Sequence, residues 1–214
     1  MSLSSSETFK PYKEDAINLI YNMLFCDQDE LYTSQTTSIE NYPWSVLFND
    51  PLDITGLQRI ILDEQVESRV KLLAFAKLKS TGQEIEEKEL LGVIVEVGME
   101  EGLDLLASYR DGTARYINYT GSMIIWDTTD ETSDHLTHKL FQDSLNIVRR
   151  IGPWDKERLP PPSQGKVRIS FLVSDGLYFG EGQIDTFFND PLAAPAVASA
   201  TALMQFLVEK TGKR

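Results

Sequence analysis

The sequence predicts an α+β protein: an antiparallel β-meander sheet of about six strands covered by helices, with an N-terminal helical layer. Three observations carry this. Apolar residues recur at helical spacing through the first third of the chain. Beyond the acidic connector "EIEEKE" the period changes to two, in short runs separated by glycine-containing turns. Helical stripes then return after residue 130 and at the C-terminus. With no internal repeat and no strong linker, residues 1–214 form a single domain, with a helical layer over 10–82 and sheet and helices over 90–212.

The first helix is expected over 11–26, where Ala16, Ile17, Ile20, Met23 and Leu24 share a face and Pro11 suits the first turn. "TSQTTSIENYPWS" has loop composition, and Asp53 then caps a second helix through Leu57, Ile60 and Ile61. The run "VKLLAFAKLK" alternates like a strand, but its Ala, Leu and Lys content and the closing Gly82 favour a helix over 66–79.

From 90 to 127 the pattern is a four-strand meander. Leu91, Val93, Val95 and Val97 alternate onto one face, "GMEEG" turns, Asp111-Gly112 turns, and Gly121-Ser122 leads into "MIIWD". Thr128 and Glu131 have capping-box spacing ahead of a helix whose stripe is Leu136, Leu140, Phe141, Leu145 and Val148, ending near Gly152. "GPWDKERLPPPSQG" is an extended linker, and "VRISFLVSDGLYFGEGQ" is a second hairpin turning at Asp175-Gly176. Asp190 and Pro191 open the last helix, with Pro195 in its first turn; its small, all-round apolar surface suits close packing on a sheet or on a second subunit.

The balance of 20 Lys+Arg against 33 Asp+Glu gives a net charge of -13, which repels phosphate backbones and anionic membrane surfaces and argues against nucleic acid and membrane as partners. The uncharged run at 192–208 is short of spanning length and is diluted by Pro195, Ser199, Thr201 and Gln205, so a buried helix is expected. The start, "MSLSSSETFKPYKED", shows no apolar run of signal-peptide length, and "MSL" has the look of an expression remnant. Cys26 has no partner for a disulfide, which fits a reducing, cytoplasmic compartment.

One constellation suggests a site. If Asp111-Gly112 is a two-residue loop, Arg110 faces Thr113, Tyr109 faces Ala114 and Ser108 faces Arg115. Ser108, Arg110, Arg115 and Tyr119 then share a polar sheet face, where the two guanidinium groups are diagonal neighbours able to hold a carboxylate or phosphate. A solvated face with both arginines paired to surplus acids is the competing reading. His135 and His138 are three apart on one helix, but no second helix carries a matching ligand pair, and Asp27, Asp29 and Glu30 lack the glycine and distal glutamate of a calcium loop. No metal or cofactor is expected. Cys26 has no assignable base, serine lacks the nucleophile-elbow context, and the phosphate-loop glycine patterns are absent.

The function expected from sequence is a noncatalytic binding or assembly protein acting through protein contacts, as a homodimer or with a protein partner. A third class, a toxin-neutralising or inhibitor protein, is also compatible with the strong acidity, since acidic surfaces speed encounter with basic partners, and composition does not separate it from the first. The alternative is a binder or enzyme for a small anionic metabolite, with Arg110 and Arg115 clamping the charge and Ser108 or Tyr119 orienting it.

Overall fold

The computed structural model describes residues 8–33, 39–85, 87–128 and 130–212. All six strands form one antiparallel sheet: β1 (Leu90–Gly98), β2 (Leu103–Tyr109), β3 (Ala114–Ile117), β4 (Met123–Trp126), β5 (Lys166–Val173) and β6 (Gly176–Gln183), in the order β4-β3-β2-β1-β5-β6. The meander runs outward from β1 on one side. The long helix α6 (Glu131–Val148) carries the chain back so that β5 pairs with the other edge of β1. Among the described residues no helix is long and apolar enough to cross a membrane.

Helices cover both faces. On one lie α1 (Asp15–Met23), α2 (Asp29–Thr33), α3 (Trp44–Leu47), α4 (Ile54–Leu62) and α5 (Ser68–Ser80), whose apolar residues form one core with Ile94, Leu105, Ala107, Tyr109 and Leu172 of the sheet. On the other, α6 and α8 (Ala194–Thr211) close a second core over Val93, Val95, Leu106, Ile169 and Phe171. The small side chains that give α8 its all-round apolar surface are used here: Ala196 and Ala200 are buried together with Leu203 and Leu207 in this core. A further short helix, α7 (Ile184–Asn189), follows β6 directly and was not expected from the sequence.

Several boundaries differ from the sequence reading, each for a local reason. The first helix begins at Asp15, because Asn18 and Asn22 on it accept the N–H groups of Tyr12 and Phe9 and so tie down an irregular lead-in. It ends before Cys26, which takes a left-handed backbone conformation (φ 56°). The segment read as loop at 33–45 contributes to α2 and α3, with residues 34–38 outside those described. Residues 68–80 are helix, and Asp53 caps α4 by accepting the Gly56 N–H. The cap of α6 is Asp130 rather than Thr128; its carboxylate accepts the N–H groups of Thr132 and Ser133. The register shifts between Leu90 and Gly92, so Leu91 joins the N-terminal core while Leu90 joins Val93 on the opposite face. In the second hairpin Val173 pairs with Gly176, which makes Ser174 and Asp175 the turn residues.

The Asp-Gly hairpin departs from expectation with the largest consequence. Its loop has three residues, Arg110, Asp111 and Gly112: the Tyr109 N–H donates to the Thr113 carbonyl, and Gly112 takes the left-handed conformation (φ 86°) that closes such loops. Ser108 therefore pairs with Ala114 and Ala107 with Arg115. This one-residue slip from a two-residue loop exchanges the faces of β3, because side chains alternate with period two. Tyr119, Thr120 and Gly121 repeat the design at the next turn, in place of the Gly121-Ser122 turn expected.

Candidate ligand cleft

The register places the four sequence-predicted site residues apart. Arg115 lies on the N-terminal face with Ala107, its side chain buried and bonded to Asp127 and to the Ala114 and Trp126 carbonyls. Arg110 sits in the turn, 3.5 Å from Glu89. Ser108 is buried on the opposite face, paired with Ala114, and Tyr119 is in the loop at the far end of β3. No pair of arginines faces a common ligand position in this hairpin. The turn has a structural task instead: Asp111 accepts the Ser68 N–H at the start of α5, and the Ser68 hydroxyl accepts the Asp111 N–H. Partial desolvation pushes the Asp111 carboxyl up, but hydrogen bonds from Ser68 and Thr113 outweigh it and hold the group below its ordinary range.

Ligand-sized space lies instead among the N-terminal helices. A cleft of about 690 Å³ opens between the end of α1, α2, the start of α3 and the α4–α5 connection. That is within the range of small-molecule sites, which combine apolar walls with a few placed polar groups. Three aromatic residues line it, Tyr32, Tyr42 and Trp44; Trp44 stacks on Tyr32 (6.1 Å between centroids) and on Phe48 (5.9 Å, 9° between planes). Met23, Val66 and Val70 complete the apolar lining.

The polar groups have distinct conditions. At the rim the Tyr42 hydroxyl donates to Asp63 at 2.9 Å. Hydrogen bonds from the Gln65 N–H and from Tyr42 hold the Asp63 carboxyl below its ordinary range. Arg69 rises from the first turn of α5 into the wall, with one terminal nitrogen 2.8 Å from Glu67 and its guanidinium 5.6 Å from the Tyr109 ring centre. Its Nε is buried and makes no hydrogen bond among the described residues. Burial is the largest single influence and pulls the Arg69 pKa down, but Tyr109, Glu67, Tyr32 and Cys26 together push it up, so the group stays charged. Behind it, burial raises Tyr109 and Tyr32 well above the usual phenol value, and both hydroxyls donate to carbonyls at the end of α1, those of Leu24 and Met23. Burial likewise pushes the Cys26 thiol up to about 12, against a smaller opposing effect of its hydrogen bond with Tyr32.

A charged donor with an unused N–H, set into a wall of stacked rings, can orient a flat ligand through one acceptor atom while the rings supply affinity. Sequence reasoning missed these residues. The available signal was the density of aromatics, Tyr42 and Trp44 within the stretch read as polar loop and Phe48 just beyond it. Among the described residues no group of three or more His, Cys, Asp or Glu side chains is placed to hold a metal ion. No protein-family model matches the chain, and no curated protein sequence matches it significantly.

Proposed function

We propose that the protein is a noncatalytic binding protein for a small, flat, ring-bearing molecule that carries a carboxylate or carbonyl acceptor. The ring lies along Trp44 and Tyr32, and the acceptor takes the Nε–H of Arg69. The observation that carries this is the unpaired, buried Nε of a charged arginine lining an aromatic cleft. An orphaned buried donor costs about 1–3 kcal/mol, which an incoming acceptor recovers.

Binding rather than catalysis is supported by the ionisable groups around the cleft. The Cys26 thiol is raised to about 12, the Tyr32 hydroxyl is raised and the Asp63 carboxyl is lowered. Each moves away from neutrality, where a proton-transferring group is most effective. The α8 surface that motivated self-association in the sequence is filled by the same chain, so the cleft supports a ligand more strongly than α8 supports a second copy.

The test is a thermal-shift series with phenylacetate, phenylethylamine and acetate. Phenylacetate at about a hundred times its dissociation constant should raise the melting temperature by about 5–10 °C, with smaller effects from the ring without the acid and the acid without the ring. Equal shifts from acetate and phenylacetate would remove the ring from the reading, and no shift from phenylacetate at any concentration would remove the cleft.

A further inference from the structure

A second cleft, of about 470 Å³, lies between the β2–β3 turn and α6. Asp134, Thr137, Phe141 and Leu145 line it from α6, at spacings of three and four that set them along one stripe of the helix. Arg110 and Leu90 line it from the sheet.

Three charged side chains border this space: the Asp111 carboxylate is spent on Ser68 and Thr113, while Arg110 and Asp134 make no ion pair with one another. Among the described residues the one ion pair of Arg110 is with Glu89, at 3.5 Å, well beyond the 2.7–2.9 Å of a close charge-assisted hydrogen bond. The Asp134 carboxylate has no ion pair among the described residues. It lies beside Gly112 and is exposed. A third group is unspent: Thr137 is 6% exposed, and its buried hydroxyl has no hydrogen-bond partner among the described residues. His138 and Gln142, also in the lining, bond to one another at 2.8 Å and are thereby occupied.

A simple anion fits this arrangement poorly, since Asp134 and Glu89 repel it, and a simple amine meets Arg110. A molecule that carries both charges satisfies both sides. We infer that this cleft binds a free α-amino acid with an apolar side chain. The α-carboxylate pairs with Arg110, the α-ammonium pairs with Asp134 beside the Thr137 hydroxyl, and the side chain lies along Leu90, Phe141 and Leu145. The site is separate from the aromatic cleft and shares no residue with it.

Calorimetric titration with L-leucine tests this, alongside 4-methylpentanoate, which lacks the ammonium, and 3-methylbutylamine, which lacks the carboxylate. Leucine should bind saturably and each half-ligand should bind at least about tenfold more weakly. Arg110→Gln and Asp134→Asn, both at accessible positions, should each weaken leucine by about tenfold or more, and Thr137→Val by less. Arg69→Met should leave leucine binding unchanged, which separates this site from the aromatic one. The inference fails if leucine gives no saturable heat up to about 10 mM, a limit set by the weakest affinity a site of this size would need to matter. It also fails if 4-methylpentanoate binds as tightly as leucine, or if both charge variants bind leucine as the parent does.

Discussion

Seen from α6 and α8, the sheet is a hydrocarbon surface in which Val93, Val95, Ile169 and Phe171 meet Leu140, Leu203 and Leu207. Seen from the N-terminal helices, the same strands also present charge. Glu96 on β1 is fully buried beside Arg168 on β5, which bonds to Glu181 on β6 and to the Leu159 carbonyl. The Tyr21 hydroxyl donates to Glu96 at 2.8 Å, and Arg158, from the proline-rich linker, reaches Asp27, Asn22 and the Tyr21 hydroxyl. The guanidinium of Arg158 also lies 4.0 Å from the centre of the Phe25 ring. One face is held by area and the other partly by directional bonds that pin α1 and the linker onto the strands. Both sides leave remainders: among the described residues Glu96 Oε2 and Arg69 Nε here, and the Ser108, Thr137 and Ser144 hydroxyls on the other face, are buried without a hydrogen bond, and of these only the two on this side belong to charged groups. The aromatic cleft lies on this side as well.

The contrast can be broken first by substitution on each face. Phe171→Ala should cost about 3–5 kcal/mol through lost burial and a cavity. Arg168→Met should cost a similar amount, about 3–5 kcal/mol, because it strands Glu96 and Glu181 rather than because the pair itself is strong. Urea unfolding measures both. Glu96→Gln separates the mechanisms, since removing the buried charge along with its need for a partner should change stability far less than Arg168→Met does.

Acid and base sharpen the same point. Burial pushes the Glu96 carboxyl above its ordinary value, with Arg168 and the Tyr21 hydrogen bond only partly opposing it. A group raised in the folded state contributes stability below its unfolded pKa of about 4.3 and loses that contribution as pH rises through the folded value. The parent should therefore lose stability relative to Glu96→Gln as pH rises from about 4 through the raised folded value, read as urea midpoints over a pH series. Asp111 has the opposite sign: its lowered carboxyl contributes above about 3.9 and loses its contribution as pH falls through the depressed value.

Smaller effects test the register. Arg115→Ala should cost about 1–3 kcal/mol, because Arg115 is buried and bonded to two carbonyls and Asp127. Asp111→Ala should cost about 1 kcal/mol through loss of the contact at the start of α5. Arg110→Ala should stay within about 0.5 kcal/mol, as expected for an exposed, loosely paired side chain. Equal costs for the two arginines would contradict the three-residue loop.

The period of two made the meander legible, and propensity decided 66–79 correctly because Ala, Leu and Lys outweigh a chance alternation. The hairpin register was not legible, since "YRDGT" accommodates a two-residue or a three-residue loop and both use a left-handed glycine; that ambiguity alone decides the face of Arg115. Glu96 lies between Val95 and Val97, so alternation puts it on the face of β1 away from the apolar stripe read from the sequence. Only the tertiary arrangement brings α1 and the linker over it. The aromatic cleft was hidden for the same reason, its lining coming from segments as far apart as Met23 and Val70.

The most direct test is a pair of nitrogen-15 correlation spectra, with and without phenylacetate, including the side-chain Nε–H region of arginine. Saturable shifts at Tyr32, Trp44, Val66, Val70 and the Arg69 Nε–H, with α6 and α8 silent, are the predicted result. Shifts confined to α6 and α8, or an unmoved Arg69 Nε–H at saturation, would contradict the assignment of the ligand to the N-terminal face.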